Sequence, residues 1–329
     1  MRHGFTDRAE RKSAAGEGQV QMLTKVTIEA LANSVLAVPP VALNPDLSLN
    51  VAANAAQIRH LEAGGVTTLL YGGNANVHNW QVTAFDAWLT ALEDAAGATS
   101  WLLPSVGPDW GKLMDEAAIL KHRRFPVAMA LPMIAPKTEA GVVRSLEEFV
   151  ARSGVPLIVY IKADNYIAPD TLGRLQDQGV VFGIKYAVPR TDIMDDPYLA
   201  ALVATLGRER IVSGFGEPPA LPHVIDFGLT GFTAGCVCIA PFLSTVFRKA
   251  LQAGDRDGAI RALEPFLELE ALRERLGAIA VLHYAVTQTG IADMGPILPT
   301  LSLPDTREHA AIAAAARRLY DAEMAARAA

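Results

Sequence analysis

The stretch PVAMALPMIAPKTEAGVVRSLEEFVARSGVPLIVY (126–160) decides how this chain folds. Its two ends, PVAMALP (126–132) and PLIVY (156–160), are short apolar runs of the kind that form buried strands. Between them TEAGVVRSLEEFVARSG (138–154) spaces Val143, Leu146 and Val150 three and four apart and stops at Gly154, which predicts a helix with one apolar face. Strand, helix and strand in that order make a βα repeat, whose successive strands pair in parallel.

The same alternation runs outward in both directions. Strands are predicted at 34–38, 66–71, 100–106, 126–132, 156–160, 180–186, 210–214 and 231–235. Further helical stretches are NVAANAAQIRHLEAG (50–64), DAWLTALEDAAG (86–97) and DPYLAALVATLG (196–207), each ended by glycine. Eight strands with seven or more helices fit a (β/α)8 TIM barrel. An open doubly wound sheet is the rival, and the lack of G-x-G-x-x-G after the first strand weakens it. Beyond the eighth strand the chain looks helical only, so the expected organisation has three parts. They are a flexible N-terminal extension (1–22, with Met22 as a candidate functional start), the barrel (23–240), and the last barrel helix with a C-terminal helical extension (241–329).

Composition limits the chemistry. With 51% hydrophobic and 19% charged residues and a formal net charge of -6, the 329 residues read as a soluble globular protein. Basic residues are scattered singly, which gives no footprint for nucleic acid or an anionic membrane and leaves small-molecule partners. No apolar run reaches the length of a membrane span, and residues 1–21 lack the apolar core of a secretory signal. Cys236 and Cys238 read as small buried hydrophobes in a reducing cytoplasm. There is no zinc motif and no Walker sequence.

One apolar strand carries a charge: GVVFGIKYAVP (179–189) has Lys185 in its middle. A buried ammonium is costly, so such a lysine is either paired or has its pKa lowered until it is neutral. In a barrel the strands' carboxyl ends hold the active site, and Lys185 and Tyr160 fall at the ends of consecutive strands, about 4.8 Å apart. A desolvated lysine forms Schiff bases with carbonyl substrates, and a phenol can carry the protons. The competing reading is a salt-bridged layer at this level of the barrel. LLYGGNANVHNW (69–80) supplies Gly73 and Asn74 as expected carboxylate holders, with Asn76 and His78 nearby. Lys162 follows Tyr160 by two and shares its face unless it already belongs to the loop, while His60 is expected on a helix surface and His223 and His283 in helical packing.

These residues carry a likeness. From about Asn33 to near its end the chain resembles the dihydrodipicolinate synthase / N-acetylneuraminate lyase family of class I aldolases. PLIVYIKADN looks like that family's Y-N-x-P segment, VVFGIKYA like its G-I-K-[DE] segment, and GIADMGPILPTLS like its late G-x-x-x-G-x-v-R-x-P-l-x-p-L turn. The segment beginning RIVSGFGEPPALPHVIDFG is similar to the family's s-G-x-D stretch. The resemblance implies a (β/α)8 barrel with C-terminal helices, often a tetramer of two tight dimers, and an imine between Lys185 and pyruvate or another 2-keto acid. Tyr160 is then the phenol that shuttles protons, and no metal or organic cofactor is implied.

The departures are as informative. The family's G-T-T-G-E loop is Gly72-Gly73-Asn74-Ala75-Asn76, its P-Y-Y segment is Pro132-Met133-Ile134, and its carboxylate-gripping arginine is Asn165. The acid that commonly follows the lysine is Tyr186. These losses argue against dihydrodipicolinate synthase proper. The expected pocket is lined by Asn74, Asn76, His78, Asn165 and Thr233, with Met133 and Ile134 as an apolar wall that favours a neutral aldehyde fragment over a second carboxylate. The expectation is a Schiff-base aldolase or lyase of 2-keto acid and aldehyde substrates, cytoplasmic and homo-oligomeric (dimer or tetramer). A 2-keto-3-deoxy sugar acid dehydratase is the nearest alternative, and a barrel that binds such acids without turnover is the other.

Overall fold

The computed structural model describes residues 22–134 and 136–329, and in it the predicted alternation closes on itself. The strands are β1 (Leu36–Ala37), β2 (Thr68–Tyr71), β3 (Trp101–Val106), β4 (Ala128–Ala130), β5 (Leu157–Ile161), β6 (Val181–Tyr186), β7 (Ile211–Ser213) and β8 (Gly231–Ala234). Each pairs in parallel with the next, and β1 meets β8 through Leu36↔Thr233 and Ala37↔Ala234, completing a closed barrel. β1 is short because, one residue beyond it, Pro39 and Pro40 cannot donate to a ladder.

The opening stretch shows how local chemistry builds each unit. Thr138 caps the helix Glu139–Ser153, its side chain accepting from the Gly141 N–H at 3.1 Å, and Gly154 ends it in the left-handed region at φ 74. Val142, Leu146 and Phe149 are buried between this helix and the barrel, where each contributes about 2 kcal/mol.

A short helix, Ala30–Asn33, underlies the amino end of the barrel, where its fully buried Leu31 approaches β6 and β8. A Cβ at Gly231 would stand 2.6 Å from the Leu31 carbonyl oxygen, and one at Gly183 would stand 3.2 Å from its Cδ1. The strand that carries Lys185 therefore has a glycine two residues earlier for a steric reason.

Helices Pro241–Gln252, Arg256–Leu263, Leu267–Leu276, Ala278–Thr289 and His309–Ala328 follow β8. The last one is tied back by Glu323, a fully buried carboxylate that accepts from the N–H groups of Phe242 and Leu243, each at 2.9 Å, and from Arg327 at 2.6 Å. An acid against the first N–H groups of a helix suits both their unmet hydrogen bonds and the helix dipole. Residues 1–21 of the expected extension lie outside the described residues. Met22, assigned to that extension, is instead buried in the core, next to Leu23, whose N–H bonds the Ser100 carbonyl at 2.8 Å. Among the described residues no helix is long and apolar enough to cross a membrane.

Candidate active site

β5 and β6 pair in a register that sets Tyr160 directly beside Lys185. Both face a cleft of about 730 Å³ at the carboxyl ends of the strands. The Lys185 amine lies 4.2 Å from the centroid of the Tyr160 ring, so the two meet face to head. No carboxylate pairs with it and no hydrogen bond reaches it among the described residues, which removes the salt-bridged layer as an explanation. Burial, helped by the positive charges of Lys162 and Arg273, lowers its pKa to about 7. Burial alone pushes the Tyr160 phenol up to about 12, which keeps it protonated at neutral pH.

Alternation along β6 turns the next residue the other way. Tyr186 is buried outside the barrel, where its hydroxyl donates to Asp196 at 2.7 Å. Asp196 also caps the helix Pro197–Leu206 by accepting from Leu199 N–H at 2.9 Å, and it pairs with Arg190 at 2.7 Å. The side chain at position 186 thus serves packing.

The β2 loop separates into two roles. A Cβ at Gly72 would lie 3.0 Å from Met129 Cε and 3.1 Å from Ser105 Oγ, a tight fit against two side chains, while one at Gly73 would meet only open space in the cleft. The backbone N–H groups of Gly73 and Asn74 carry no hydrogen bond within the described residues. The Asn74 amide is anchored to the Val38 carbonyl at 2.8 Å. His78 lines the cleft, and burial together with Lys112 and Lys162 lowers its pKa. Thr233 of β8 lines the floor.

Two predicted lining residues lie elsewhere. Asn76, at φ 56, is buried and turned toward the C-terminal segment: it donates to the Leu298 carbonyl at 3.4 Å and accepts from Asn79 at 2.7 Å. Asn165, at φ 51, is exposed and outside the cleft lining. Its neighbour Tyr166 lines the cleft in its place, with its hydroxyl accepting from Met133 N–H at 3.0 Å. His60, expected on a surface, is half-buried against the Ile239 carbonyl at 3.0 Å.

Arg273 is the cleft residue that local reading missed. The helix Leu267–Leu276 delivers it over the end of β8, where a Cβ at Gly235 would stand 2.4 Å from its Nη2. Glu270 pairs with it at 2.5 Å, and the Ala278 carbonyl accepts from its Nε at 3.3 Å. Beneath them Glu217 is fully buried, accepts from the Ser244 hydroxyl at 3.1 Å, and is pushed up to about 8 by burial and by Glu270.

No family model matches the chain. Among curated proteins it is 26% identical over 281 residues to "Probable 5-dehydro-4-deoxyglucarate dehydratase 1" of Streptomyces coelicolor, covering 82% of this chain and 87% of that protein. Among solved structures, dihydrodipicolinate synthase from Bacillus clausii superposes with a TM-score of 0.77 at 18% identity, covering 88% of this chain and 98% of that one. Proteus mirabilis N-acetylneuraminate lyase gives 0.74 at 15% identity, with coverage of 88% and 98%. The chain is therefore similar in sequence to a sugar-acid dehydratase, and it has the fold of dihydrodipicolinate synthase and N-acetylneuraminate lyase.

Against the motifs that the sequence resembles, the pocket differs at three places. The β2 loop has Gly73 and Asn74 where the threonines are expected, the β4 loop has Met133 and Ile134 where two tyrosines are expected, and position 165 is turned to solvent. The apolar wall is interrupted, because Lys137 and Lys162 line the cleft beside Met133 and Ile134.

Proposed function

We propose that this protein is a Schiff-base-forming lyase that acts on a 2-keto acid, most specifically the dehydration of a 2-keto-3-deoxy sugar acid. The observation that carries the proposal is Lys185, buried at the barrel's carboxyl end with no ion partner among the described residues, its pKa lowered to about 7 and its amine against the Tyr160 ring. The dehydratase reading is supported by the similarity to the Streptomyces coelicolor protein named above, whose name gives its substrate as 5-dehydro-4-deoxyglucarate, a sugar diacid.

In this mechanism the free amine of Lys185 adds to the C2 ketone, and loss of one water from the carbinolamine leaves an iminium. Removal of a C3 proton gives an enamine. The enamine expels the C4 hydroxyl, which takes up a proton and leaves as a second water. Hydrolysis of the conjugated iminium consumes one water, returning the lysine and the dehydrated keto acid. Tyr160, neutral and next to the amine, carries protons to the departing oxygens. The free N–H groups of Gly73 and Asn74 hold the carboxylate beside the ketone. His78 and Thr233 face the rest of the substrate. Carbon–carbon cleavage follows the same route as far as the iminium.

We also assign a homo-oligomer in the cytoplasm. Trp110 is 47% exposed and Ile134 80% exposed beside a shallow depression shared with Pro108 and Met133, an apolar face suited to a second copy. Borohydride reduction with pyruvate is the test of the imine. Reduction is expected to fix the keto acid on the protein and abolish activity, whereas an unmodified protein across a panel of 2-keto acids would leave only a binding barrel.

A further inference from the structure

Charge is distributed unevenly in this cleft. Lys137, Lys162, Lys185 and Arg273 line it, and no aspartate or glutamate does so among the described residues. Two of the four cations are already committed. Arg273 is neutralised by Glu270 at 2.5 Å, and Lys185 must be uncharged to react. Lys162 and Lys137 are exposed, and neither has a carboxylate partner among the described residues.

The two remaining ammonium groups stand in the same relation to two rings that line the cleft. Lys162 Nζ is 5.8 Å from the centroid of the Tyr160 ring, and Lys137 Nζ is 5.8 Å from that of Tyr166. Lys137 also donates to the Ile134 carbonyl at 3.1 Å, which holds its head at the β4 loop rather than in bulk water. Lys162 lines the same cleft as Lys185 and His78, and its positive charge helps lower the pKa of both.

A monoanionic keto acid would use one anion site, the Gly73 and Asn74 N–H groups, and leave both lysines unanswered. We propose that the cleft is built for a dicarboxylic 2-keto acid whose far carboxylate is taken by Lys162 and Lys137. This specificity clamp rests on the imine reading for the near end of the substrate only. Asn165 takes no part in it: one lysine comes from the loop after β4 and the other from the position immediately after β5. The 5-dehydro-4-deoxyglucarate named for the curated relative is itself a dicarboxylate.

The test compares two acids of equal length, 2-oxoglutarate and 2-oxopentanoate, which differ in a distal carboxylate against a methyl. Calorimetric binding without borohydride, at low and high salt, reads the preference. Borohydride trapping of the same mixtures reads the imine. The full chain is expected to prefer 2-oxoglutarate by about tenfold or more at low salt, a difference of roughly 1.4 kcal/mol, with the preference shrinking as salt rises. In Lys162→Gln combined with Lys137→Gln the ratio is expected to fall toward one, and Lys162→Arg is expected to retain it. A preference without an adduct would overturn the imine and keep the clamp. An adduct without a preference, or a preference that survives the double substitution, would overturn the clamp.

Discussion

Lys185 is reactive because the fold denies it solvent and a counter-ion. That arrangement has a thermodynamic signature with a definite sign. An unfolded lysine titrates near 10.5 and the folded one near 7, so between those pH values the unfolded chain binds a proton that the folded chain does not. Stability from this group therefore rises with pH through that window, and the penalty is complete below about 7. Lys185→Met is accordingly expected to be inactive yet more stable, by on the order of 3 kcal/mol at pH 6.5, with the gain fading toward pH 10. Urea unfolding at three pH values checks this, and a variant that is less stable at every pH would contradict the buried, unpaired amine. The lysine was legible in the sequence because a single charge in an apolar strand is conspicuous. Asn76 and Asn165 were not, since both have left-handed backbones and their direction is set by loop contacts such as Asn76 to Leu298.

Elements were legible where local chemistry is repeated. The helix Glu139–Ser153 declares its start at Thr138 and its end at Gly154, and β5 and β6 declare themselves by their apolar runs. The attachment of the last helix was hidden, because Glu323 works on residues some eighty positions earlier. Removing its side chain leaves two N–H groups of a helix start without acceptors and Arg327 with only the His60 carbonyl, 3.4 Å away. Glu323→Ala is expected to cost about 2–3 kcal/mol, and Glu323→Gln, which retains an acceptor, about half as much. Thermal unfolding checks this, and equal melting of Glu323→Ala and the unaltered chain would show that the capping contact is not stabilising. Arg273 was hidden for the same reason: its approach to the cleft depends on Gly235 and on how the C-terminal helices pack on β8.

At the scale of the whole molecule, the barrel brings the ends of β5 and β6, the Gly73–Asn74 loop and one distant helix to a single cleft, and leaves Trp110 exposed beside the rim that Ile134 forms. Light scattering is expected to find more than one copy per particle, and Trp110→Glu to shift the population toward a single chain. A monodisperse single chain in the unaltered protein would contradict the assembly. The overall architecture was readable because eight βα units leave few ways to close, whereas the substrate's charge became readable only when the cleft assembled Lys137 and Lys162 without an acid beside them. The central claim is that one amine does the chemistry, and the most direct measurement is peptide mass mapping after borohydride reduction with pyruvate. A single adduct on the peptide containing Lys185, absent in Lys185→Ala, is the predicted result; an adduct on Lys162 or Lys137, or none at all, would contradict it.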